Sequence, residues 1–181
     1  MYLRRHYSLA VAALTLGSAI CLCAATNPVP SFSVTNLAGR ALNSGDLGPP
    51  LRKTNVAPGA AVKAPGPPSR WLLVYVTPNC TACEHLLQAL HSPELAPKLA
   101  SSVVVVVGDL AADKVRVLTA RFAWLPDTAW FLDLDHEAFD RLKLNADGAV
   151  FGISERQIAW TLLGAPADPK RLKSILTTWI K

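Results

Sequence analysis

The apolar and polar positions of this chain fall into regular patterns from Trp71 onward. Trp71-Leu72-Leu73-Val74-Tyr75-Val76 is a continuous apolar run of strand length, as expected of a strand covered on both faces. Thr77-Pro78-Asn79 interrupts it. Cys83, Leu86, Leu87 and Leu90 then recur at i, i+3, i+4 and i+7, which predicts a helix with one buried stripe. Pro93 and Pro97 end or kink that helix, since proline has no N–H to donate. The valines from Val103 to Val107 predict a second buried strand. A helix over 113–123 places Val115, Leu118 and Phe122 on one face. A third strand over 129–134 and a short helix over 136–142 follow. Strands over 149–153 and 157–163 then form a hairpin around Ser154-Glu155-Arg156. In the terminal helix Asp168 is the cap, Pro169 takes the first turn, and Leu172, Ile175, Leu176 and Trp179 form the stripe. Alternation in this order predicts an α/β domain over 71–181, a central mixed sheet with helices on both faces.

The chain before Trp71 divides into three parts. Residues 26–47 read as an N-terminal extended segment, with Ser31-Phe32-Ser33-Val34 followed by a turn at Asn36 to Gly39. Residues 48–70 hold prolines at 49, 50, 58, 65, 67 and 68 and no aromatic residue, the composition of a surface linker or loop. Residues 1–25 have the layout of an export signal. Met1 to His6 is basic, no acidic residue occurs before Asp46, Leu9 to Ala25 is apolar, and Cys23-Ala24-Ala25 is a cleavage site of small residues. Cleavage there starts the mature chain at Thr26 and places it in the periplasm or otherwise outside the cytoplasm. Two alternatives stay open. One is an uncleaved membrane anchor, since the apolar run is near the lower length limit for a span. The other is lipidation at Cys21 or Cys23, where the preceding Ile20 and Leu22 are bulky for such a site.

Composition narrows the reading further. The chain of 181 residues, 51% hydrophobic and 17% charged, has material for one buried core. Its net charge of +5 falls by two when Arg4 and Arg5 leave with the signal. No basic run interleaved with aromatics occurs, so nucleic acid is excluded as a partner. The oligomeric state is left open.

Removal of the signal also leaves two cysteines, Cys80 and Cys83. In an oxidising compartment such a pair closes a very small loop, which removes little entropy from the unfolded chain and is a weak staple. Reactivity is the better reason for it. The pair lies where a buried strand ends and a helix begins, and the first helical turn presents free N–H groups and the positive end of the dipole. Cys80, exposed at that turn, is the expected attacking thiolate. Cys83 lies one turn deeper on the apolar stripe and resolves the mixed disulfide.

A strand, then Thr77-Pro78-Asn79-Cys80-Thr81-Ala82-Cys83 opening a helix, then this element order, resembles the thioredoxin-fold family, and within it the exported TlpA/ResA-type thiol–disulfide oxidoreductases. Phe32-Ser33-Val34-Thr35-Asn36-Leu37-Ala38-Gly39 is similar to their leading segment. Trp130 to Asp135 with Glu137 to Leu142 is similar to their extra strand and helix before the closing hairpin. The resemblance covers about 32–180. It implies a thioredoxin-like fold, protein thiol or disulfide substrates, no cofactor, and a membrane redox partner that resets the pair. It also implies substrate contacts at Asn79, Gly148 and Ala149. Three positions depart from the family pattern. Asn79 stands where an aromatic residue is usual, Val74 where thioredoxins bury an acid, and Ala149 at the position matched to the cis-proline before the hairpin strand. A non-proline cis bond costs about 3–4 kcal/mol, so the bond at Ala149 is expected to be trans.

Two other functions compete with this one. A copper-handling protein would use Cys80, Cys83 and His85, since soft thiolates suit Cu(I). A non-catalytic interaction module would keep the fold without the missing proline's role. His85 is otherwise a helix histidine and Glu84 a solvated charge. Asp133, Asp135 and His136 look like metal ligands on paper, but a capping Asp at a strand-to-helix turn explains them as well. Trp71, Trp124, Trp130, Trp160 and Trp179 are expected in the core.

Overall fold

In the computed structural model, residues 27–49, 70–78, 80–108, 112–145, 148–164 and 169–180 are described. Among the described residues the strands form one seven-stranded sheet in the order β2 (Ala41–Asn43), β1 (Ser33–Asn36), β5 (Trp130–Asp133), β4 (Val103–Gly108), β3 (Arg70–Val76), β6 (Gly148–Ser154), β7 (Gln157–Leu163). Its centre is parallel: β3 (Arg70–Val76), β4 (Val103–Gly108) and β5 (Trp130–Asp133) run side by side. They are joined by α1 (Thr81–Leu90), α2 (Ala96–Leu99) and α3 (Ala112–Arg121). After α4 (Glu137–Arg141), β6 (Gly148–Ser154) returns antiparallel to β3, β7 (Gln157–Leu163) closes the hairpin, and α5 (Pro169–Trp179) ends the domain.

The continuous valines of β4 are explained by cover on both faces. Val103, Val105 and Val107 join Leu72, Val74 and Val76 beneath α1, α3 and α5, whose Leu86, Leu90, Val115, Leu172 and Leu176 fill that layer. Val104 and Val106 turn the other way, toward Tyr75, Phe131, Ala138 and Leu142. Full burial of each such side chain is worth roughly 1.5–3 kcal/mol, so this strand anchors the sheet. The prolines act as the sequence implies, with a refinement: α1 stops at Leu90, and Pro97 sits inside the first turn of α2, where a missing N–H costs nothing.

Two segments depart from the simplest reading. The residues before Leu47 are an integral part of the sheet. β1 (Ser33–Asn36) pairs with β2 (Ala41–Asn43) and lies antiparallel against the outer side of β5. The Asn36 side chain accepts the N–H groups of Ala38 and Arg40 at 3.1 and 2.9 Å, and Gly39 takes a φ of 80°, which builds the turn. The hairpin turn between β6 and β7 is also tighter than expected, because Ser154 pairs with Gln157. That leaves Glu155 and Arg156 as its two central residues, with φ of 50° and 65°. Arg156 is held from outside, its guanidinium donating to Gly45 O at 2.6 Å and its carbonyl accepting from Val29 N at 3.1 Å.

Candidate active site

The junction of β3 and α1 builds the site. Helix α1 starts at Thr81, and Cys80 is its N-cap, in an extended conformation (φ −96°, ψ 98°). The Cys80 sulfur accepts the backbone N–H of Cys83 at 3.0 Å, so it occupies the place that a Ser or Asp oxygen fills at other helix starts. Cys80 is half-buried, whereas Cys83 is 3% exposed among Leu86, Leu87 and Leu90. The two Cα atoms are 5.2 Å apart and the sulfurs are joined in a disulfide. The arrangement places one reachable sulfur at the positive end of a helix dipole and one sheltered sulfur behind it.

The strand pairing decides which residue faces that disulfide. β6 runs beside β3 with Val76 opposite Gly148, Tyr75 opposite Ala149 and Val74 opposite Val150. Successive residues alternate faces, so Val74, Val76, Gly148 and Val150 share the side covered by α1. A Cβ placed on Gly148 would lie 3.1 Å from Cys83 Sγ. Ala149 points to the opposite face and is fully buried beside Tyr75 and Phe151. Ala149, matched in sequence to the cis-proline position, is therefore not the residue beside Cys83; Gly148 is. The signal was present in the sequence, since counting by twos from Val150 leads to Gly148, but it needed the register against β3. No cis peptide bond occurs among the described residues. Val74 is wholly buried in the apolar layer. Asn79 lies outside the described residues.

The remaining candidates separate cleanly. His85 is exposed, and among the described residues no group of three His, Cys, Asp or Glu side chains is gathered that could hold a metal ion. Glu84 pairs with Arg121 at 2.9 Å on the surface. Asp133 is a buried capping residue, 1% exposed, accepting from the N–H groups of Ala138 and Phe139 and from the Tyr75 hydroxyl, each at 3.0 Å. Of the tryptophans, Trp71 and Trp130 are in the core, but three are only half-buried. Trp124 stacks on His91, and Trp160 meets Trp179 edge-on beneath the Arg70 guanidinium. These three pack against the core from its margin, in the turn after α3, on the edge strand β7 and at the end of α5. A cavity of about 670 Å³ opens between Asn36, Arg116, Asp127 and Phe131, and neither cysteine lines it.

A parallel β-α-β unit with a Cys pair opening its first helix, closed by an antiparallel hairpin and a helix on the same face, decides the architecture. This is the thioredoxin fold. The thioredoxin-like chain carries an extra strand and helix, β5 with α4, before the hairpin, and a leading β1–β2 hairpin on the sheet's edge. No protein-family model matches the sequence, and no curated protein does. Solved structures do match it. A secreted Mycobacterium tuberculosis disulfide oxidoreductase, described as homologous to E. coli DsbE, is 12% identical with a TM-score of 0.57. The match covers 81% of this chain and 95% of that one. A thio-disulfide isomerase from Thermus thermophilus is 15% identical with a TM-score of 0.56, covering 84% and 94%. StoA from Bacillus subtilis is 17% identical with a TM-score of 0.50, covering 82% and 97%. At these identities the likeness establishes the thioredoxin fold itself. No described helix is long and apolar enough to cross a membrane.

Proposed function

We propose that the chain is an exported thiol–disulfide oxidoreductase acting on protein substrates through Cys80 and Cys83. The observation that carries this reading is the asymmetry of the pair, a reachable N-cap sulfur beside a buried one. In the reducing direction the Cys80 thiolate attacks a substrate disulfide. The substrate S–S bond breaks, one substrate sulfur leaves as a thiolate and takes a proton, and a mixed disulfide with Cys80 forms. Cys83 then gives up its proton and attacks the Cys80 sulfur, which releases the second substrate thiol and closes the Cys80–Cys83 disulfide. Two electrons and two protons have passed to the substrate, all carried by sulfur, so the cycle needs no cofactor. A redox partner at the membrane restores the dithiol, and the same steps in reverse oxidise a dithiol substrate.

The shape of the site favours a protein substrate. The cysteines lie at a helix start beside a strand end, a setting that an extended chain can approach on the side of the half-buried Cys80. Export is supported by the basic, apolar and small-residue layout of residues 1–25 and by a structural neighbour described as secreted. The test is trapping. Cys83→Ser should accumulate stable mixed disulfides with exported proteins, and Cys80→Ser should accumulate few. A Cys83→Ser protein that captures nothing, together with a wild-type chain inert toward insulin disulfides, would leave the fold without this activity.

A further inference from the structure

Gly148 brings bare backbone against the buried sulfur. A Cβ there would lie 3.1 Å from Cys83 Sγ, and its next neighbour, the Tyr75 carbonyl oxygen, is at 3.8 Å. The φ of Gly148 is outside the left-handed region, so its backbone admits any L-residue. What an added side chain would lack is room, and the atom in the way is the sulfur. A carbon–sulfur approach of 3.1 Å is closer than ordinary van der Waals contact, so the sulfur has to yield. In the disulfide a shift of a few tenths of an ångström is resisted, because the bond to Cys80 and the first turn of α1 both hold the sulfur. In the dithiol the bond to Cys80 is gone, so the same displacement of the Cys83 sulfur meets less resistance.

We propose that Gly148 is a positioning residue of the redox site: it keeps open the seat that the Cys83 sulfur occupies in the disulfide. By doing so it shifts the pair toward the disulfide and makes the dithiol the stronger electron donor. The inference rests on the oxidoreductase reading for its biological direction, reduction of substrate disulfides, but its test does not.

The purified chain and its Gly148→Ala variant are equilibrated with graded mixtures of reduced and oxidised dithiothreitol. Dithiothreitol passes two electrons and two protons to the Cys80–Cys83 bond, which opens to two thiols, and itself closes to a cyclic disulfide. Alkylation and mass spectrometry read the reduced fraction. Gly148→Ala should shift the equilibrium toward the dithiol by about tenfold, the scale of one overpacked methyl group. The entropic effect of replacing glycine acts on the unfolded chain in both redox forms and cancels in this difference. An unchanged equilibrium, or a shift toward the disulfide, overturns the proposal. Denaturant unfolding supplies the second measurement. Gly148→Ala should destabilise the oxidised protein and cost little in a Cys83→Ala background, where the sulfur is gone. An equal loss in both backgrounds, including failure of both to fold, overturns it. A shifted equilibrium in a chain without activity on protein disulfides upholds the role of Gly148 and removes the oxidoreductase reading. Normal exchange with an unshifted equilibrium does the reverse.

Discussion

Two strand-to-helix junctions stand at the same end of the sheet, β3 into α1 and β5 into α4. Each helix opens with free N–H groups, and each junction supplies a side-chain acceptor for them. At the second it is Asp133, 1% exposed and met by three donors. At the first it is the sulfur of Cys80, half-buried and met by a single backbone N–H. The same backbone requirement is thus answered in two ways. A carboxylate enclosed by its donors has nothing left to offer a partner, and its role is to hold α4 and Tyr75 in place. A sulfur that accepts at a helix start, reachable from outside, keeps the stabilisation found there and, in the proposed function, uses it for exchange. Exposure and spare bonding capacity separate a structural cap from a reactive one.

The comparison can be broken by exchanging the consequences. Cys80→Ser should abolish thiol–disulfide exchange altogether while moving the denaturant midpoint very little, because so short a loop contributes little stability and serine still caps a helix. An insulin reduction assay and urea unfolding on the same protein check both halves. Asp133→Ala should do the opposite. It removes one acceptor of the Tyr75 hydroxyl and strands the N–H groups of Ala138 and Phe139, each costing about 1–3 kcal/mol, for a loss of about 2–5 kcal/mol. Cys80 should still react normally in the fraction that remains folded, and a large fall in its alkylation rate would tie the two junctions together.

The comparison sharpens with a measurement on the unmodified chain. Once reduced, Cys80 should titrate below the free-thiol value of about 8.5 and outpace Cys83 with iodoacetamide across pH 5–9, since its thiolate meets the helix N-terminus in reach of solvent. Equal rates, or faster labelling of Cys83, would end this assignment. The smallest effect is expected at Glu84. Its pairing with Arg121 is a surface contact with side chains 35% and 55% exposed, so Glu84→Gln should cost about 0.5 kcal/mol or less and leave exchange intact. A marked loss of exchange would instead make Glu84 a proton relay to Cys83.

Much of this was legible before any coordinates. The helical stripe from Cys83 to Leu90, the valines of β4 and the junction at Cys80 depend on interactions within a few residues, and local periodicity and capping report those directly. A capping Asp at the turn into α4 was readable for the same reason, but that it is Asp133 and not Asp135 came from the contacts to Ala138 and Phe139. The half-buried tryptophans were not, because a large apolar side chain looks the same in sequence whether its element lies mid-sheet or at an edge.

What the sequence by itself determined, then, was the order of elements and the pair of sulfurs at a helix start. What the tertiary structure alone decided was how those elements meet. It placed β1 on the edge of β5, cleared Gly108 for the Tyr75 ring whose hydroxyl reaches Asp133, and turned Gly148 instead of Ala149 toward Cys83. The physical reason is the two-residue period of a strand. A register slip of a single position exchanges every side chain between faces, and register is set by partners far away in the chain.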